Sequence, residues 1–277
     1  MAKTWFITGA SRGIGAEIVK AALKAGNNVV ATARSVDKIT RPTEVSDNLL
    51  AVKLDVTQED QVNAAVKAAV TKFGRIDVLI NNAGYGHFGV FEETTPEEVR
   101  AEFNTNVFGL MDVTRAVIPF MRKQGGGRIF NISSIAGLKG IFGGSLYNSS
   151  KFAVEGFSQS IAEELAPYKI FVTCISPGFF RTDFLDPSSV KYSKRSISDY
   201  DRAMNDYRNF LDNRCYNQLG DPTKLAKLVL QLVEIENPPV SLVAGSDAIE
   251  WAKSAIKQKQ MELDVWRDYS VSTDGSW

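Results

Sequence analysis

Histidine is nearly missing from this sequence, cysteine is scarce, and neither sign of charge is in excess. The lone His87 cannot build a histidine-based metal site, and Cys174 and Cys215 are too few and too isolated for a disulfide scaffold or a zinc site. Metal chemistry is therefore not expected. Lysine plus arginine number 32 and aspartate plus glutamate 32, so bulk charge draws the chain neither to nucleic acid nor to an anionic membrane surface. No apolar run approaches the roughly 18 residues of a membrane span. The start, "MAKTWFITGAS", has one basic residue and an apolar run too short for a secretory leader. The expectation is a soluble, cytoplasmic protein. No G-x-S-x-G elbow occurs, and "GFSQS", the nearest approach, lacks the final glycine, which excludes the common serine hydrolase arrangement. Fixed-period repeats, low-complexity tracts and linker-like stretches are missing too.

What is present is alternation. At 277 residues and 44% hydrophobic content the chain can bury one large α/β core. Six short apolar runs, "KTWFIT", "NNVVAT", "LLAVKLD", "RIDVLINN", "GRIFNISS" and "KIFVTCIS", are each followed by a helix-like segment. That rhythm predicts a doubly wound, mainly parallel sheet with helices on both faces, in a single domain spanning 1–277. Capping oxygens mark three helix starts: Thr57 with Asp60, Thr95 with Pro96 and Glu98, and Asp221 with Pro222. An irregular zone, 183–220, carries Tyr200, Met204, Tyr207 and Leu211 at helical spacing and reads as a lid over the carboxyl ends of the strands. Residues 221–277 complete the domain with helices and a last strand.

Two short stretches carry chemistry. "TGASRGIG", 8–15, follows the first expected strand and opens the first helix; Gly9, Gly13 and Gly15 permit a tight turn and a close backbone approach, leaving helix N–H groups free for a pyrophosphate. The second strand ends in Ala33 and Arg34, where a carboxylate would hold an unphosphorylated ribose; the Arg34 guanidinium, with Arg12 in the glycine loop, suits a 2′-phosphate and hence NADP. Asp37, three residues on, is the acidic alternative. In "SLYNSSKFAVEG", Tyr147 and Lys151 share one helical face at i and i+4. An ammonium beside a phenol is expected to favour phenolate and lower its pKa from the usual value of about 10.

Taken together, these stretches make the chain resemble a classical short-chain dehydrogenase/reductase over 3–182, the segment read here as cofactor-binding and catalytic core. "TGASRGIG" resembles that family's cofactor loop and brings in Ser11 and Ile14. "LDVT" resembles the adenine-contacting turn, with Asp55 and Val56. "NNAG" resembles the fourth-strand motif, with Asn82, Ala83 and Gly84. "NVFG" supplies Asn106, "NISS" places Ser134 thirteen residues before Tyr147, and "SPGFFRT" resembles the loop that holds the nicotinamide, with Pro177, Gly178, Phe180 and Thr182. The resemblance implies an NADPH-dependent oxidoreductase that interconverts a ketone or aldehyde and an alcohol. It assigns Tyr147 as general acid/base, Ser134 as partner of the substrate oxygen, Lys151 as tuner of Tyr147 and holder of the nicotinamide ribose, and Asn106 as holder of a relay water. It also implies a homo-oligomer, dimer or tetramer.

Beyond 183 the chain is similar to the hydroxysteroid and retinol dehydrogenase branch, which points to a bulky, apolar substrate. Phe179, Phe180, Phe184, Tyr192, Tyr200 and Tyr207 are candidates to line its pocket, while His87 is read as loop packing near the site. A protein that keeps the fold and binds NADP as a silent regulator is the alternative; it would be expected to lack the tyrosine or the lysine, and this chain has both.

Overall fold

The computed structural model describes residues 2–39 and 47–275. Seven strands form one sheet: β1 (Thr4–Ile7), β2 (Asn28–Ala33), β3 (Leu49–Lys53), β4 (Val78–Asn81), β5 (Gly127–Ile132), β6 (Ile170–Pro177) and β7 (Ser241–Ala244). Their order is β3-β2-β1-β4-β5-β6-β7 and every neighbouring pair is parallel. This is the Rossmann-type arrangement, and the order reverses between β1 and β4, the crevice where such sheets bind ligands.

All four residues of β1 and of β4 are buried, as expected of central parallel strands covered on both faces. The two-residue period divides them: Trp5 and Ile7 join one core layer, Phe6 the other. The first layer is closed by α1 (Gly13–Lys24) and α7 (Pro222–Glu234), through Ile18, Val19, Leu225 and Val229. The second is closed by α2 (Glu59–Phe73), α4 (Gly109–Lys123) and α5 (Ser145–Leu165), through Val62, Val66, Val113, Val117 and Ile161. Among the described residues no helix is long and apolar enough to cross a membrane.

Helix starts follow the capping chemistry at two of the three expected places. Thr95 caps α3 (Pro96–Phe103) in a reciprocal box with Glu98, and Asp221 Oδ1 accepts from Thr223 N at 2.8 Å at the head of α7. Thr57 does not cap α2. Its N–H and its hydroxyl both donate to Asp55 Oδ1, at 3.0 and 2.8 Å, which turns the side chain toward Asp55 rather than the helix, and α2 starts one residue later than a Thr57 cap would give, after Gln58.

Between α3 and α4 the chain makes a π turn, Asn104–Phe108. In 183–220, Lys191–Tyr192 pairs in parallel with His87–Phe88, and α6 (Asp201–Asp212) buries Met204 and Leu211. Lys191 N donates to Gly86 O at 2.9 Å and Ser193 N to Phe88 O at 3.1 Å, which ties this segment to the core. Tyr200 leaves the expected stripe: it precedes α6 and its hydroxyl donates to Glu92 Oε2 at 2.9 Å on the exposed surface. The remaining helix, α8 (Ser246–Val271), follows β7.

Candidate active site

A cavity of about 670 Å³ opens at the carboxyl ends of the central strands. Of the catalytic and cofactor-binding residues expected from the sequence, all but Gly15 and Asn106 border it; of the six candidate pocket aromatics, Phe179, Phe180, Phe184 and Tyr207 do and Tyr192 and Tyr200 do not.

One wall is the glycine loop. Gly9 sits at φ +63°, a conformation that side chains disfavour. Asn82 Nδ2 lies 3.1 and 3.0 Å from the carbonyl oxygens of Thr8 and Gly9, and Thr8 Oγ1 accepts from the N–H groups of Asn82 and Ala83, each at 3.0 Å. Gly15 faces this knot rather than the cavity: a Cβ there would collide with the Gly9 carbonyl and the Asn82 amide. Its lack of a side chain lets α1 close onto the loop. Ser11, Arg12, Gly13 and Ile14 continue the wall, Arg34, Asp55 and Val56 lie along it, and Ala83, Gly84, Pro177, Gly178, Phe180 and Thr182 surround the middle. Asp247 fixes the last of these loops, Oδ2 accepting from Phe179 N at 2.8 Å. Backbone amides at a helix start beside a side-chain-free cradle fit the pyrophosphate of a dinucleotide. Arg12 pairs with Asp183 at 3.0 Å, an engagement that its position in the glycine loop did not announce.

In the centre, Tyr147 and Lys151 are 7% and 6% exposed. Lys151 Nζ donates to Ile132 O at 2.9 Å and stands 5.7 Å from the Tyr147 ring centroid. Ser134 Oγ accepts from Ala136 N at 3.1 Å. The phenol is not depressed as the tyrosine–lysine pair alone leads one to expect. Burial pushes its pKa above the ordinary tyrosine value, against a smaller downward pull from its hydrogen bond with Ser134. Burial likewise lowers the Lys151 ammonium. A low-dielectric surrounding penalises the charged form of both groups, and this outweighs their proximity.

Behind them lies a layer less legible in the sequence. The π turn carries Asn106 out of the cavity wall, with Nδ2 at 2.8 Å from Glu102 Oε1, 3.0 Å from Tyr85 O and 3.1 Å from Ser150 Oγ, and with Oδ1 accepting from Tyr85 N at 3.1 Å. Glu102 is 0% exposed. Burial pushes its pKa up to about 8, opposed by the Lys151 charge, the His87 backbone and the Tyr85 hydroxyl. Tyr85 in turn is pushed up to about 12, by burial first and by the Glu102 charge second. The i, i+4 spacing of Glu102 and Asn106 was the available signal, since it puts an acid on the same helical face as the asparagine.

At the far end the cavity is aromatic. Phe88 and Phe184 each stand 5.6 Å from the Tyr147 ring, and Phe179, Tyr207 and Leu211 complete the wall. Tyr192 packs into this cluster without bordering the cavity. His87 is buried in the short ribbon, its Nε2 3.4 Å from Ser193 Oγ, and burial lowers its pKa.

Glu102 gives a pH signature. Its folded-state pKa of about 8 lies above the ordinary 4.5, so between those values the folded protein retains a proton that the unfolded chain releases. Its contribution to stability therefore falls as pH rises through that window, by at most about 1.4 kcal/mol per pH unit. Thermal unfolding of Glu102→Gln should show a melting temperature that gains on the wild type from pH 5 to pH 8. Parallel curves would mean that this carboxyl is ionised in the folded protein throughout.

Comparison with known proteins agrees with this geometry. Residues 3–192 match the family described as short chain dehydrogenase. The chain is 38% identical over 276 residues to the oxidoreductase BOA17 of Botryotinia fuckeliana, covering 99% of this chain and 100% of that one. A short-chain dehydrogenase from Streptomyces avermitilis superposes with a TM-score of 0.91 at 35% identity, over 99% of this chain and 100% of that one. A 3-ketoacyl-(acyl-carrier-protein) reductase from Brucella melitensis, complexed with NADH, does so with 0.75 at 30% identity, over 89% and 97%. The chain belongs to the classical short-chain dehydrogenase/reductase family, oxidoreductases that work with a nicotinamide cofactor.

Proposed function

We propose that this oxidoreductase is an NADPH-dependent reductase of ketones or aldehydes in which Tyr147 delivers the proton. The observation that carries the reading is a buried phenol kept neutral between a dinucleotide-shaped cradle and an aromatic wall. A raised pKa suits an acid: at neutral pH the hydroxyl holds the proton that a reduced carbonyl oxygen must receive. Ser134 Oγ, at the same wall, is suited to hydrogen-bond that oxygen, and Lys151 to stabilise the phenolate left behind. The bound cofactor supplies the hydride. Asn106 and Glu102 hold the elements around Lys151 in register, and 183–220 serves as the cover that keeps water out.

Arg34 supports NADP over NAD. It borders the cavity just beyond Ala33, and no ion pair engages it among the described residues. Arg12 shares its charge with Asp183 and is the weaker contributor. Phe108, Phe120 and Phe152, 52%, 36% and 46% exposed, leave apolar surface at the two ends of α4 and on α5 that supports self-association.

Two measurements test the reading. NADPH should bind about tenfold to a hundredfold more tightly than NADH, as a charge-assisted contribution of about 1.5–3 kcal/mol in total provides; Arg34→Ala should erase most of the difference, and equal affinities in the wild type would refute the NADP assignment. Tyr147→Phe keeps the ring and removes the proton, so turnover of a ketone and aldehyde panel should collapse while NADPH still binds. Near-normal turnover by that variant would rule out the tyrosine as the acid.

A further inference from the structure

Helix α8 starts on the body of the molecule and then leaves it. Its first turns are rooted: Ala248 is buried, Asp247 Oδ2 accepts from Phe179 N at 2.8 Å, and Lys139 Nζ donates to Ser254 Oγ at 3.1 Å. From Ile256 to Val271 every residue is exposed, on all sides of the helix. A rod about 24 Å long therefore stands in water. A solitary helix of that length is marginal even when built of good helix formers. This one includes Ile256, Val265, Trp266, Tyr269 and Val271, β-branched or aromatic residues that lose side-chain freedom in a helix.

Its sequence is that of a helix with a partner. Ile249, Ala252, Ile256, Lys259, Leu263 and Trp266 follow one another at alternating spacings of three and four, the seam of a paired helix, broken once by Lys259. Ile256 is 70% exposed, and Leu263 and Trp266 57% each. Charge is divided along the same stretch. The first half, 250–259, carries Lys253, Lys257 and Lys259 against Glu250; the second, 262–268, carries Glu262, Asp264 and Asp268 against Arg267. Lys259 and Glu262, Lys257 and Asp264, and Lys253 and Asp268 are all centred on the same point, midway between Gln260 and Met261. A second α8 laid antiparallel about a two-fold axis at that point brings each of these lysines level with an acid of the other copy, and seam onto seam. A parallel partner would set like charges level.

The ion pairs made within the helix, Lys253 with Glu250 at 2.9 Å and Lys259 with Glu262 at 3.9 Å, are exposed and contribute little. An anionic lipid surface is the poorer partner, because Leu263, Val265, Trp266 and Tyr269 lie in the acidic half. We infer that α8 is a dimerisation arm that pairs antiparallel with α8 of a second copy of this chain. This contact is separate from the apolar surface on α4 and α5, and it does not depend on the reductase reading.

Sedimentation velocity of the full chain over a range of concentrations, in low salt, reads the step. Lys253→Glu, Lys257→Glu and Lys259→Glu together make both halves acidic; they should weaken association about tenfold or more, and less so as salt rises. Adding Glu262→Lys, Asp264→Lys and Asp268→Lys makes the halves opposite again with the signs exchanged, and should return association to within about threefold of the wild type. Leu263→Asp, in the seam, should weaken association in either charge background. The inference is overturned if the triple variant assembles as the wild type does, if the exchanged charges fail to recover assembly, or if Leu263→Asp is without effect. A wild type that stays monomeric in solution and sediments with phosphatidylserine vesicles would overturn it too, in favour of a lipid surface.

Discussion

Tyr147 and Lys151 stand one turn apart on α5 and are both shut away from water, and the arrangement around them answers the cost of that burial. A buried ammonium needs acceptors, and the strand end provides one in the Ile132 carbonyl. A buried carboxyl, Glu102, lies close enough to oppose the lowering of Lys151 and is itself pushed toward the neutral form. The phenol is held neutral by its surroundings. Glu102 thus opposes the effect of burial on Lys151 and adds to its effect on Tyr147, while the Lys151 charge opposes the effect of burial on Glu102.

Much of the frame was legible in the sequence because it depends on local rules. Continuous apolar runs announced the parallel strands, Gly9 and Gly13 announced the tight turn, and the capping oxygens of Thr95 and Asp221 marked two helix starts. The tyrosine–lysine spacing found one face of the cavity. What escaped depended on partners distant in sequence. Thr57 was read as a cap, but Asp55 claims its hydroxyl. Tyr200 was read as a pocket residue from helical spacing, but Glu92, more than a hundred residues earlier, draws it to the surface. The direction of the Tyr147 shift also escaped, because sequence spacing reveals the neighbouring charge and says nothing of the depth of burial. Glu102 was overlooked because an acid in the last turn of a helix ordinarily faces solvent, whereas here the π turn rolls the chain inward.

Segment 183–220 links the two ends of the cavity. At one end Asp183 pairs with Arg12 of the glycine loop; at the other, α6 brings Tyr207 against Phe88. The ribbon that joins Lys191–Tyr192 to His87–Phe88 fixes its middle to the core. The glycine-loop end and the aromatic end of the cavity therefore share one stretch of chain, a physical route by which filling one could tighten the other.

The claim that burial keeps Tyr147 protonated, ready to serve as an acid, is open to direct titration. With tyrosines labelled at Cζ by carbon-13 and the Tyr147 signal identified by its disappearance in Tyr147→Phe, its chemical shift can be followed against pH without cofactor. The account predicts no ionisation of this phenol at or below the ordinary tyrosine value of 10. Conversion to phenolate below that value in the protein alone would contradict it, and would mean that Lys151, rather than burial, sets the proton affinity of the site.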